Sequence, residues 1–168
     1  MMTRSRIRNS SPRDAGGSPS RRDGKGGAYA TAVRMLATRA HSARELRGKL
    51  LRRGHPADEV ATALERLREG GYLDDAAYAQ GLVARRATGR GLRAIASELA
   101  ARGVDRQVAQ EALAGLDPDS QLEAASALVR RLQRAGPIDA EHIGARLLRR
   151  GFSVEVARAA LRGVAAST

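Results

Sequence analysis

Three glycines, Gly54, Gly103 and Gly151, stand 49 and 48 residues apart and carry matching surroundings. Eight residues before each is Leu46, Ile95 or Ile143, and four before is Leu50, Leu99 or Leu147. The residue just before is always arginine (Arg53, Arg102, Arg150). Ten after is always leucine (Leu64, Leu113, Leu161), and thirteen after is Leu67, Leu116 or Val164. A fixed period of this length marks one small structural unit used three times.

Apolar spacings of three and four make the unit helical. Tyr29, Val33 and Leu36 open the first unit. Ser42-Ala43-Arg44-Glu45 reads as a capping box before a helix carrying Leu46, Leu50 and Leu51. Pro56 suits the first turn of a third helix with Val60, Leu64 and Leu67. The second unit repeats this with Tyr78 and Leu82, then Ile95 and Leu99, then Val108, Leu113 and Leu116. In the third, a helix from Asp117-Pro118 to Arg134 is shifted in register, while Ile143, Leu147, Val156 and Leu161 keep the pattern. A glycine just past each middle helix takes the left-handed conformation that other residues adopt only at a cost. The residue after it then meets the leucine four before it. Val104 and Phe152 suit that contact, whereas His55, beside Pro56, reads as a cap.

The expected fold is all-α, three tandem three-helix repeats in an elongated, curved array, with boundaries at 28–72, 73–116 and 117–164. Residues 1–27 hold five Gly, five Ser, two Pro and seven basic against two acidic residues, and read as a disordered basic tail.

Three Tyr, one Phe, no Trp and no Cys leave the core to aliphatic residues and exclude disulfide and thiolate chemistry. No apolar run approaches a membrane span. A soluble cytoplasmic protein with no membrane partner is expected, and a monomer. Thirty basic against eighteen acidic residues give +12, and all but two of the basic residues are arginine. A polyanionic partner follows, nucleic acid or an acidic protein groove.

Few residues suggest catalysis. Asp74-Asp75 is the one adjacent pair of aspartates, but Asp74 suits a helix cap, with Leu73 and Tyr78 placed as a hydrophobic staple and Asp75 in the first turn. His41, His55 and His142 are scattered, so neither metal nor cofactor is expected. Gly89-Arg90-Gly91 lacks the ending of a phosphate loop. The candidate binding residues are arginines: Arg52-Arg53, Arg85-Arg86, Arg90, Arg93, Arg130-Arg131, Arg134 and Arg149-Arg150. Arg52-Arg53 and Arg149-Arg150 end equivalent helices, so repetition places them along one discontinuous basic stripe. With Tyr29 and Tyr78 at core positions, base stacking is not expected.

The run Gly71-Tyr72-Leu73-Asp74-Asp75-Ala76-Ala77-Tyr78-Ala79 resembles the hallmark of the RecX family, bacterial regulators of the RecA recombinase. Arg85-Arg86, Ile95, Glu98-Leu99 and Arg102-Gly103-Val104 extend the likeness, as do Ser42, Glu45, Leu46, Leu50 and Gly54. It covers about residues 28–164. It departs at Gly91-Leu92, where family members often carry Gly-Pro, and at Ala94, where a basic residue is common. The resemblance implies a non-enzymatic protein lying in the groove of the RecA–single-stranded-DNA filament. There it would restrain filament growth, ATP hydrolysis, strand exchange and coprotease activity, with weaker electrostatic affinity for single- and double-stranded DNA. The alternative from charge alone is a general nucleic-acid-binding protein with no recombinase partner.

Overall fold

The structure is a computed structural model and describes residues 27–165. All of the expected tail but Gly27 lies outside them. Among the described residues the chain is all-α, without a strand. Its helices are α1 (Ala28–Thr38), α2 (Ala43–Arg52), α3 (Ala57–Glu69), α4 (Asp75–Ala87), α5 (Leu92–Ala101), α6 (Arg106–Ala114), α7 (Pro118–Arg134), α8 (Ala140–Arg149) and α9 (Val154–Ala165).

Three separate cores divide them. Leu46, Leu50, Val60, Leu64 and Leu67 fill the first, between α1, α2 and α3. Tyr78, Leu82, Ile95, Leu99 and Val104 fill the second, and Leu128, Val129, Ile143, Leu147 and Phe152 the third. Each helix is nine to seventeen residues long, marginal in isolation, so burial of these stripes supplies its stability.

Each middle helix ends on its glycine as expected. Gly54, Gly103 and Gly151 have φ of 85°, 73° and 84°. The glycine N–H bonds three residues back, at 2.9 Å to Leu51, Ala100 and Leu148. The next N–H reaches the earlier carbonyl: His55 to Leu50 at 3.3 Å, Val104 to Leu99 at 3.1 Å, Phe152 to Leu147 at 3.2 Å. This double closure satisfies two of the last carbonyls of each helix.

Local expectations fail in four places, each for a physical reason. Val33 is 37% exposed, because the small side chains of Ala28 and Ala32 form the buried face of α1. Leu73 fills the first core while Tyr78 fills the second, so they do not staple one helix. Ser42 accepts from the Glu45 N–H at 3.1 Å, but the Glu45 carboxylate turns to Arg39, His41, Lys49 and Arg102 and leaves the capping box half made. His55 caps nothing: Pro56 precedes α3, and the imidazole stands 3.9 Å from Glu59.

The middle helices α2, α5 and α8 meet end to end. At the first joint, the start of α2 sits on the end of α5. The Ser42 hydroxyl donates to the Arg102 carbonyl at 2.5 Å, and the Arg44 side chain lies over Gly103. At the second, the start of α5 sits on the end of α8. The Gly91 N–H donates to the Arg150 carbonyl at 2.9 Å and the Arg93 N–H to the Gly151 carbonyl at 3.2 Å.

Candidate nucleic-acid interface

Two carboxylates organise the first joint. Glu45, in the first turn of α2, pairs with Arg39, with His41 at 3.3 Å, Lys49 at 3.4 Å and Arg102 at 3.3 Å. Burial pushes its carboxyl up, but the hydrogen bonds and charges of Arg39 and His41 outweigh that and hold it at about 2. Glu98, on α5, accepts from Arg86 Nε and Nη2, each at 3.0 Å, a two-pronged pairing suited to the planar guanidinium. Arg102 lies 3.5 Å and Arg90 3.7 Å from the same carboxylate. The Arg86 hydrogen bond and the neighbouring Arg90 and Arg102 charges hold Glu98 below its usual range against the opposing effect of burial.

Around this network the surface opens into three grooves. One, of about 380 Å³, is lined by Arg44, Glu45, Arg47, Gly48, Arg52, Ala101 and Arg102. A second, of about 540 Å³, holds Thr31, Arg34, Met35, Thr38, Arg52, Arg53 and His55. The third, of about 380 Å³, holds Arg39, Ala40, Tyr78, Leu82, Arg85, Arg86, Glu98 and Arg102. Arg52 belongs to the first two and Arg102 to the first and third, so the grooves form one arginine-lined band across α2 and the first joint.

The sequence-derived candidates divide among three places. Arg52, Arg53, Arg85 and Arg86 come together in the band, and Arg90 joins through Glu98. Arg93, Arg149 and Arg150 stand at the second joint, where Arg150 Nη1 donates to the Gly89 carbonyl at 3.2 Å. Arg130, Arg131 and Arg134 are exposed along the last turns of α7 and line none of these grooves. Arg86 is partly committed to Glu98 and Arg53 to the Met35 sulfur at 3.4 Å, whereas Arg52 and Arg85 are exposed and free to meet a ligand.

Arg34, Arg39, Arg44, Arg47 and Arg102 belong to the band without being among the arginines that the sequence singles out. They stand singly in the sequence and belong to no arginine doublet. The signal for Arg102 was its equivalence to Arg53 and Arg150 before the repeated glycine. Asp74 accepts from the Ala76 and Ala77 N–H groups at 2.8 and 3.0 Å and so caps α4. Asp75 reaches across to accept from the Ala43 N–H at 2.8 Å, tying the second unit to the start of α2. Among the described residues no three His, Asp or Glu side chains gather into a metal site, and no helix is long and apolar enough to cross a membrane.

Fold and surface together define a tandem array of three-helix units whose clefts are lined by arginine. Residues 28–67 match the family model described as RecX, first three-helix domain, and residues 74–113 the model for its second three-helix domain. The chain belongs to the RecX family. It is 39% identical over 138 residues to a regulatory protein RecX of Mycobacterium avium, covering 77% of this chain and 80% of that one. It is likewise 39% identical over 133 residues to one from Chromohalobacter salexigens, covering 77% of this chain and 88% of that one. The crystal structure of RecX from Lactobacillus salivarius shares the fold, with a TM-score of 0.72 at 22% identity over 81% of this chain and 93% of that one. A further crystal structure of regulatory protein RecX gives 0.67 at 26% identity, over 77% of this chain and 67% of that one.

Proposed function

We propose that the chain is a non-enzymatic, monomeric cytoplasmic regulator that binds the RecA–single-stranded-DNA filament and restrains its growth, ATP hydrolysis, strand exchange and coprotease activity. Family membership suggests the recombinase. The observation on this chain that carries the reading is the arginine band over the first joint, three open grooves joined through Arg52 and Arg102. Its breadth suits a repeating anionic partner better than a small molecule, since its cations line one continuous surface and converge on no enclosed pocket. Arginine forks grip phosphate and carboxylate alike, so the band can serve both components of a nucleoprotein filament.

The test is to add the protein to RecA on single-stranded DNA and follow ATP hydrolysis. Hydrolysis is expected to fall at concentrations that leave naked DNA uncovered. Unchanged hydrolysis there would favour the simpler reading, a general nucleic-acid-binding protein acting through phosphate contacts alone. Exposed arginines such as Arg52 and Arg85, which carry no acidic partner, support that second reading as well.

A further inference from the structure

Tyr72 is the most exposed large apolar side chain among the described residues. It is 64% exposed, where Val33, Leu92, Leu148 and Val154 range from 37% to 46%. Its backbone is firmly set. The Tyr72 N–H bonds the Leu67 carbonyl at 2.8 Å, Gly71 before it turns at φ 70°, and Leu73 after it is buried in the first core. One side of the ring rests on Gly70, where an added Cβ would meet ring carbons at 2.9–3.0 Å, while most of the ring faces solvent. A flat aromatic held open on a rigid turn is a stacking platform that loses little freedom on binding.

What lies next to it identifies the ligand. Tyr72 lines an open groove of about 290 Å³ with Leu36, Ala40, His41 and Ala77. Ala40 and Tyr78 belong both to this groove and to the one holding Arg39, Arg85, Arg86 and Arg102. Four arginines against Glu98, and Glu45 beside Arg39 and Arg102, still leave that neighbouring groove cationic. The acidic Asp74 beside Tyr72 spends its carboxylate on the Ala76 and Ala77 N–H groups. Aromatic face and cationic track side by side are the two parts of a single-strand seat, since every unpaired base offers a π-face and every nucleotide a phosphate. Duplex bases are already stacked on one another and cannot use the ring.

We infer that Tyr72 stacks on an unpaired base of single-stranded nucleic acid whose backbone continues over the Arg39–Arg85–Arg86 groove, giving the protein a preference for single strands. The inference rests on the reading that the arginine band takes phosphates, but it does not require RecA. With no Trp present, tyrosine provides the intrinsic fluorescence, and Tyr29 and Tyr78 are more buried than Tyr72. Titrating oligo-dT should therefore quench emission from the wild-type chain, and Tyr72→Phe should lose most of the quenching while binding normally. Tyr72→Ala and Tyr72→Leu should bind oligo-dT roughly tenfold more weakly by fluorescence anisotropy. Their affinity for duplex and the slope of affinity against salt should stay unchanged, because no charge is lost.

Equal oligo-dT affinity for wild type and Tyr72→Ala overturns the inference. So does weakening of Tyr72→Ala toward the RecA filament with oligo-dT binding intact, which makes the ring a protein contact. If the wild-type chain leaves RecA ATP hydrolysis untouched but shows this pattern on oligo-dT, the proposed function fails and the stacking seat stands.

Discussion

The two joints between repeat units occupy equivalent places and are built from different chemistry. The first uses side chains: the Ser42 hydroxyl on the Arg102 carbonyl, Glu45 on Arg102, and Asp75 on the Ala43 N–H. The second is carried mainly by main chain, Gly91 and Arg93 N–H groups on the Arg150 and Gly151 carbonyls, with the Arg150 side chain adding one bond to the Gly89 carbonyl. Even the capping contact is translated, since Gln121 on α7 accepts from the Leu92 N–H at 3.2 Å where Asp75 on α4 serves Ala43. At the second joint Gly91 and Ala94 replace Ser42 and Glu45, and the loss of side chains is what lets the backbones touch. A repeat therefore conserves the place of a contact more strictly than the atoms that make it.

The largest expected effects come from the repeated glycines, ranked by what each faces. A Cβ on Gly151 would overlap the backbone of Ala94, and one on Gly103 the flexible stem of Arg44, while one on Gly54 meets nothing within 4 Å. Changing Gly54 to Ala should cost about 1 kcal/mol from the left-handed backbone alone. Gly103→Ala should cost about 2 kcal/mol and Gly151→Ala about 4 kcal/mol, as overpacking adds to that strain. Gly91→Ala isolates the packing component, since its φ is −79° but its Cβ would strike the Gly151–Phe152 peptide. Urea denaturation measures all four, and equal losses at Gly54 and Gly151 would break the account of the second joint as a backbone contact.

Acid should separate the joints next. The Glu45 carboxyl is held at about 2 against a usual 4.5, so its stabilising contribution is complete above pH 4.5 and is lost as pH falls toward 2. Burial, helped by the Arg39 charge, lowers His41, so its protonation below pH 6.5 acts in the same direction. Glu45→Gln should cost about 2 kcal/mol at neutral pH, with allowance for the half-exposed Arg39, and should flatten the decline between pH 4.5 and 2. An unchanged acid limb in the urea midpoint of that variant would mean that Glu45 does not hold the first joint.

The capping pair offers the finest comparison. Asp75→Ala should cost about 1 kcal/mol by freeing the Ala43 N–H. Gln121→Ala should cost more than that despite removing no charge, because Gln121 is 3% exposed and its loss also opens a cavity. Thermal melts of the two variants set the order, and a larger loss at Asp75 would show that the carboxylate's charge outweighs burial.

The helices and their ends were legible in the sequence because glycine, aspartate and leucine report on neighbours within one or two turns. Gly54, Gly103, Gly151, Asp74 and Asp117 act where their spacing placed them. The cross-unit partners were not legible. Glu45 and Arg102 are 57 residues apart, and no local pattern shows that the start of α2 rests on the end of α5. The same blindness hid Arg44 and Arg47, whose company comes from the joint, and it left Tyr72 overlooked when Tyr29 and Tyr78 were judged for stacking. Doublets of arginine were easy to see, yet Arg86 and Arg150 turn out to be engaged with Glu98 and Gly89.

The end-to-end meeting of α2, α5 and α8 has an electrical consequence. Each helix carries roughly half a positive charge at its start and half a negative charge at its end. Where the start of α2 touches the end of α5, and the start of α5 the end of α8, these poles face each other and cancel. Three short helices thus behave as one bar with a single pair of outer poles. The positive pole, at the start of α8, carries Asp139 and Glu141, and the negative pole, at the end of α2, carries Lys49 and Arg52. The Arg52–Arg53 part of the arginine band is therefore built on the negative end of the bar, so part of its formal charge is offset there and its field on an approaching phosphate is softer than the count of guanidinium groups suggests.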